Sequence, residues 1–242
     1  MTMLSVNLNK IALLRNSRGR DFPNVVEFAE RVIGLGVRGI TVHPRPDERH
    51  ITRQDVKDLS EFLSAIDNVE FNIEGYPSAE FLNLVFDASP DQCTLVPDEP
   101  GQLTSDHGWQ VARNESLLKE VLGKIHGEGI RSSLFLDPVP AYIDEVTGVG
   151  ANRIELYTEE YASNFNTPHQ EKTWQEYVDT AARATEAGIG INAGHDLDLT
   201  NLAKFLEIPN ILEVSIGHAL IVECLEQGVE SVINQYLAIT AA

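Results

Sequence analysis

Cysteine is almost absent from this chain: two residues, Cys93 and Cys224, among 242. Two thiols so far apart in sequence form neither a disulfide framework nor a metal knuckle, so both are expected as buried free thiols. Long apolar runs are missing as well. Although 43% of the residues are hydrophobic, no stretch approaches the roughly 20 apolar residues a membrane helix needs. The opening Met1-Thr2-Met3-Leu4-Ser5 has no basic n-region and no long apolar h-region, which predicts no signal peptide and a cytoplasmic protein. Positive charge is scarce: 18 Lys and Arg face 37 Asp and Glu, for a formal charge of -19. That balance repels nucleic acid and anionic membrane, and neither is expected as a partner.

The few cations are not spread evenly. Half of them (Lys10, Arg15, Arg18, Arg20, Arg31, Arg38, Arg45, Arg49 and Arg53) lie within residues 10–53, where they outnumber the acids Asp21, Glu27, Glu30, Asp47 and Glu48. A solvated basic face is the plain reading of such a run. Phosphate sites for small-molecule ligands would need the same enrichment.

No linker or low-complexity tract divides the chain, and one domain over residues 1–242 is expected. A single unit recurs: a helix-period segment ends at Gly, a β-branched run follows, and the run ends in a polar residue. Gly39-Ile40-Thr41-Val42-His43 and Gly190-Ile191-Asn192-Ala193-Gly194-His195 are examples. Glycine supplies the positive φ that stops a helix, and a β-branched run suits a strand buried on both faces. Eight strands are predicted, near 4–8, 39–43, 70–74, 92–96, 132–137, 153–157, 190–195 and 212–216. Helical patterns separate them, including 25–35, 171–187 and 219–237, with Ser78 and Asn114 as candidate caps. Strict alternation implies a parallel sheet with right-handed crossovers. The first strand lacks the Gly-rich turn usual in an open doubly wound sheet. Eight units in this length predict an α/β fold, a single (β/α)8 TIM barrel with extra short helices in its loops.

Active sites of such barrels form at the C-terminal strand ends, and here those ends are polar. Asn7, Asn9 and Lys10 end the first strand, and His43 and Arg45 the second, with His50 following. Glu74 ends the third, the sixth carries Glu155, the seventh ends at His195 and the eighth at Gly217-His218. Four of the seven histidines thus fall at strand ends, which points to function rather than structure. From residue chemistry alone two readings stand. His and Glu could form general acid–base pairs, or His43, Glu74, Glu155 and His195 could hold a divalent metal. No compact His-x-His or Glu-x-x-His spacing supports the metal. The segment 97–109 after strand four is long enough for a binding loop or lid. Gly194-His195 and Gly217-His218 offer backbone N–H groups where barrels bind phosphate.

Several segments carry a resemblance. Val6-Asn7-Leu8-Asn9-Lys10-Ile11-Ala12, Val42-His43-Pro44-Arg45-Pro46-Asp47-Glu48-Arg49-His50-Ile51, Asn192-Ala193-Gly194-His195 and Ser215-Ile216-Gly217-His218-Ala219 together resemble the pyridoxine 5′-phosphate synthase family. The resemblance implies condensation of 3-amino-2-oxopropyl phosphate with 1-deoxy-D-xylulose 5-phosphate to pyridoxine 5′-phosphate, inorganic phosphate and water. It implies no metal or organic cofactor and a homo-octamer. By the same resemblance His43 and Glu74 are proton acceptors, His195 is a proton donor, and Glu155 stabilises positive charge on nitrogen. Asn7, Arg18 and the backbone at Asp196 and Gly217-His218 would hold the amino ketone phosphate. Arg45, His50 and Thr104, with Asn9 and Lys10, would hold the deoxyxylulose phosphate.

The chain departs from that family at three places. Asn9-Lys10 stands where Asp-His is common, Thr158-Glu159 where Thr-Gly is common, and Asp196 where Gly is common. The first exchange shifts local charge positive and places Lys10 to pair with a phosphate or with Glu155. Two other functions remain open on sequence: a metal-dependent barrel hydrolase or aldolase acting on a phosphorylated substrate, and a phosphate-ligand-binding barrel without turnover.

Overall fold

The two sequence periods, near 2 in the β-branched runs and 3.6 between them, sort the chain into an inner and an outer layer. A computed structural model describes residues 1–98, 101–102 and 104–242. Its strands are β1 Met3–Asn7, β2 Gly39–Val42, β3 Glu70–Gly75, β4 Gln92–Leu95, β5 Arg131–Leu136, β6 Arg153–Tyr157, β7 Gly190–Gly194 and β8 Ile211–Ile216. They pair in parallel in chain order, and β8 returns to β1 to close a barrel. Each lies within one residue or so of its predicted position.

Outside run α1 Asn9–Asn16, α2 Val25–Gly34, α3 Arg53–Leu63, α4 Ala79–Ala88, α5 Glu115–Gly127, α6 Tyr142–Val149, α7 Glu159–Asn164, α8 Gln170–Glu186, α9 Leu202–Phe205, α10 His218–Gln227 and α11 Val229–Ala241. Outward strand residues such as Val6, Ile40, Ile73, Leu95, Leu134, Ile154 and Val214 are wholly buried beneath them. The helix starts are set by side chains: Asn24 caps α2, Ser78 caps α4, and Thr52 with Asp55 forms a capping box on α3. No helix is long and apolar enough to cross a membrane among the described residues.

Three expectations need correction. Asn114 does not cap α5: a 3-10 turn over Val111–Asn114 precedes the helix, and the Asn114 amide donates to the Gln110 carbonyl at 3.0 Å. The helix read over 219–237 is two, α10 and α11, broken at Gly228 with φ 86°. Apolar residues run through that glycine, so periodicity alone hid the break. Both cysteines are free, but Cys224 is only half-buried whereas Cys93 is buried.

The inside of the barrel departs from the usual packing of branched aliphatics. Inward residues bond across it. Ser5 meets Thr41 at 2.7 Å, and Thr94 donates to Asn72 at 3.0 Å. At the N-terminal ends of the strands, Glu213 accepts from Asn192 (3.1 Å), Arg153 (3.4 Å) and Gln92 (3.5 Å). Arg131 adds a bond to Gln92 at 3.0 Å and an ion pair with Glu70. Gly190 makes this floor possible, because a Cβ there would come within 2.8 Å of the Arg153 side chain.

Candidate active site

A cavity of about 560 Å³ opens at the C-terminal ends of the strands. The chain stitches its near wall locally. Asn7, ending β1, accepts the Asn9 backbone N–H at 3.0 Å. The Asn9 side chain then accepts the His43 N–H at 2.9 Å, tying the start of α1 to the end of β2. Further along α1, Arg15 forms an ion pair with Asp55 and donates to the His50 carbonyl at 3.3 Å, which Asn16 also bonds at 2.8 Å. These contacts clamp the loop carrying Arg45, Arg49 and His50 over the cavity.

That loop concentrates positive charge. His50 Nδ1 accepts the Ile51 N–H at 2.9 Å, so a proton on the neutral ring resides on Nε2. Burial and then the charges of Arg45, Lys10 and Arg49 push the His50 imidazole down to about 4. His50 is therefore a neutral donor among cations, suited to an anion. Burial, and then the cationic surroundings that Arg45 and Arg49 make around the His43 and His50 rings, likewise hold His43 well below the usual imidazole range. His43 is a neutral base near pH 7.

The carboxylates opposite behave the other way. Burial and then the Glu155 charge hold Glu74 well above the usual carboxylate range. Glu155 is pushed up to about 8 by burial and by Glu213. Glu74 Oε2 lies 3.9 Å from His43 Nδ1, close enough to couple through a bound ligand yet too long for a hydrogen bond. Glu155 owes its position to Gly194, since a Cβ there would fall 2.4 Å from its Oε1.

On the far wall His195 leads out of β7. Its Nε2 lies 3.1 Å from Thr104 Oγ1, its Nδ1 lies 2.7 Å from Asp196 Oδ2, and the Tyr157 ring packs edge-on with centroids 5.0 Å apart. Thr158 donates to the Gly194 carbonyl at 2.7 Å and also bonds the His195 carbonyl, which fixes the backbone beneath the ring. Gly217 and His218 open α10, where no side chain caps the helix, leaving backbone N–H groups for an anion.

Asn7, Asn9, Lys10, His43, Arg45, His50, Glu74, Thr104, Glu155, His195, Asp196, Gly217 and His218 all line the one cavity. Arg18 does not. It sits on the exposed turn past α1, outside the lining. The loop read over 97–109 is described except for Glu99, Pro100 and Leu103, which lie outside the described residues. It supplies Ser105, a candidate ligand group on sequence, and one side chain that sequence reasoning did not single out, Asp98. Asp98 is buried, accepts from Arg45 at 2.5 Å and from Ser105 at 2.9 Å, and stands 3.8 Å from His43 Nε2. Only its membership of a long polar loop signalled Asp98. Among the described residues no three His, Cys, Asp or Glu side chains gather as a metal-ligand group.

Comparisons with known proteins identify the family. Residues 4–242 match the family described as pyridoxal phosphate biosynthesis protein PdxJ. The pyridoxine 5′-phosphate synthase of Christiangramia forsetii is 50% identical over 238 residues, covering 98% of each chain. That of Bacteroides thetaiotaomicron is 51% identical over 237 residues, again with 98% of each covered. Among solved structures, 3-hexulose-6-phosphate synthase from Salmonella typhimurium superposes with a TM-score of 0.64 at 13% identity, covering 99% of both chains. That likeness speaks for the barrel alone. With a family match along nearly its whole length and half its residues shared with those synthases, the chain belongs to the PdxJ family.

Proposed function

We propose that this chain is a pyridoxine 5′-phosphate synthase, condensing 3-amino-2-oxopropyl phosphate with 1-deoxy-D-xylulose 5-phosphate by general acid–base catalysis. One observation carries the reading: a single cavity joins a neutral His43, the proton-holding Glu74 and Glu155, and His195 beneath a rim of Arg45, Lys10 and a helix start.

The chemistry explains why such a set is needed. An amine adds to a ketone and loses water, phosphate departs, and a carbon nucleophile closes the ring on a second carbonyl. Each step moves a proton at one small centre, which requires several acids and bases of matched strength. His43 begins deprotonated and accepts first. Glu74, which burial and the Glu155 charge bias toward its protonated form, is drawn toward its ionised form by a substrate ammonium or iminium, because an opposite charge favours the carboxylate. Glu155, lining the same cavity from β6, sits where a cationic nitrogen gains most from a buried negative charge. His195 presents Nε2 to the cavity and returns protons to leaving water. Arg45, with the Lys10 charge and the neutral His50 donor, takes one phosphate, and the N–H groups at Gly217-His218 take the other. Burying both substrates in one pocket converts a bimolecular condensation into a local one. A homo-octameric assembly is part of this proposal and is checked by light scattering.

The deciding experiment mixes both phosphates with the purified protein and follows pyridoxine 5′-phosphate by absorbance and mass. Its formation is the expected result. Tight binding of the phosphates with no product would instead mark a ligand-binding barrel without turnover.

A further inference from the structure

We infer that the Asp196 side chain is a positioning residue for His195, fixing the imidazole tautomer and ring direction through the Nδ1–Oδ2 contact. This rests on the acid–base function proposed above and deepens it.

Geometry makes the case. His195 and Asp196 are consecutive residues with φ of 90° and 58°, both in the left-handed region that side chains disfavour. Such backbone usually falls to glycine, yet the chain places an imidazole and a carboxylate there. The conformation folds the Asp196 carboxylate back onto its neighbour, and Oδ2 comes to 2.7 Å from Nδ1. With Nδ1–H donating to Asp196, the second nitrogen, Nε2, is the one turned to Thr104 at 3.1 Å and to the cavity. A carboxylate on Nδ1 selects the tautomer and steadies the imidazolium that forms in proton transfer, the relation found in acyl-transfer triads.

The bond is not dictated by packing. The His195 side chain is 25% exposed and that of Asp196 40%, so water could serve both if the contact had no role. The other charged or titratable groups around the ring are few. Tyr157 packs edge-on from β6, Glu155 lies beneath Gly194, and the charges of Lys10 and His218 reach Asp196 from α1 and α10. No carboxylate among these contacts Nδ1. Lys10 and His218 also offset a negative charge that would otherwise oppose a phosphate nearby.

The test uses Asp196→Gly, which suits φ 58° and leaves the fold unstrained, beside Asp196→Asn, which keeps the size of the side chain but loses its charge and can donate to Nδ1. The expected result is a kcat lower by about 10-fold to 100-fold in Asp196→Gly, at least as large a loss in Asp196→Asn, where an amide donor to Nδ1 favours the other tautomer, and KM for both substrates within about twofold. In a His195→Ala background the Asp196→Gly loss vanishes, since a residue acting through His195 has nothing left to act on. Solid-state 15N spectra of histidine-labelled protein, with His195 assigned by difference against His195→Ala, are expected to show an Nδ1–H tautomer that Asp196→Gly abolishes. Three results would overturn the inference: kcat unchanged within about twofold, an equal loss in the His195→Ala background, or a rise in KM at constant kcat. If the wild-type protein forms no product, the proposed function fails, while the 15N spectra still decide the tautomer.

Discussion

The two ends of the barrel solve the same problem in opposite ways. At the floor, buried Glu213 is met by Arg153, Asn192 and Gln92, and the arginine charges work against the burial that lifts it to about 7. At the mouth, no arginine or lysine forms an ion pair with Glu74 or Glu155 among the described residues, and both are held up by burial and by neighbouring carboxylates. The same strand even supplies the space at each end: Gly190 makes room for Arg153 and Gly194 for Glu155. The contrast teaches that a buried acid becomes architecture when its counter-charge is built in. It becomes a reagent when the counter-charge has to arrive with a ligand.

Substitutions can break that contrast. The largest effect is expected at the mouth. Glu74→Gln and His195→Ala should each lower kcat by about 10²–10⁴ without a loss of folding stability; near-normal turnover in both would remove these groups from the mechanism. Next comes the floor. Glu213→Ala leaves the buried Arg153 guanidinium without its anion and should cost about 2–4 kcal/mol of folding stability, the lower part of that range applying because Asn192 still bonds Arg153 at 3.1 Å. Urea unfolding reads this directly, and a loss below about 0.5 kcal/mol would mean that the floor does not depend on the ion.

A pH series sharpens the comparison. The native Glu155 value of about 8 exceeds the ordinary 4.5, so the folded protein keeps a proton that the unfolded chain surrenders. The stability this gives is whole below 4.5 and is lost as pH rises through about 8. Glu155→Gln cannot ionise, and it should therefore gain on the wild type by about 1–3 kcal/mol between pH 5 and pH 8.5. Parallel stability curves for the two proteins would contradict the mouth's poised state. The smallest effect lies midway between the ends. The Ser133 hydroxyl is buried with no hydrogen-bond partner, so Ser133→Ala should be neutral or stabilising by up to about 1 kcal/mol. A clear loss in thermal midpoint would show that the hydroxyl is engaged.

The barrel was legible because its punctuation is local: glycine stops, β-branched runs and polar strand ends all act within a few residues. The strand-end rule then brought His43, Glu74, Glu155 and His195 together before any coordinates were needed. What stayed hidden depends on neighbours distant in sequence. Glu213, Arg153 and Arg131 read as ordinary charges until closure turns them inward onto one another. Asp98 acquires meaning only when its loop folds back on Arg45. Arg18 matches a motif, yet its place on an exposed turn keeps it out of the cavity. The Gly228 break was missed because apolar spacing on either side of it looks continuous.

Closure of β1 on β8 also bears on how the chain is made. In the finished cylinder each of the eight described strands has two partners, so none of them offers a free edge on which another polypeptide could nucleate an aggregate. During synthesis the situation differs, because the strand at Met3 waits for its partner at Glu213 until every intervening strand has been made. The hazard of mispairing is thereby confined to the newborn molecule, and the strand that pairs with Met3 is the one that ends it.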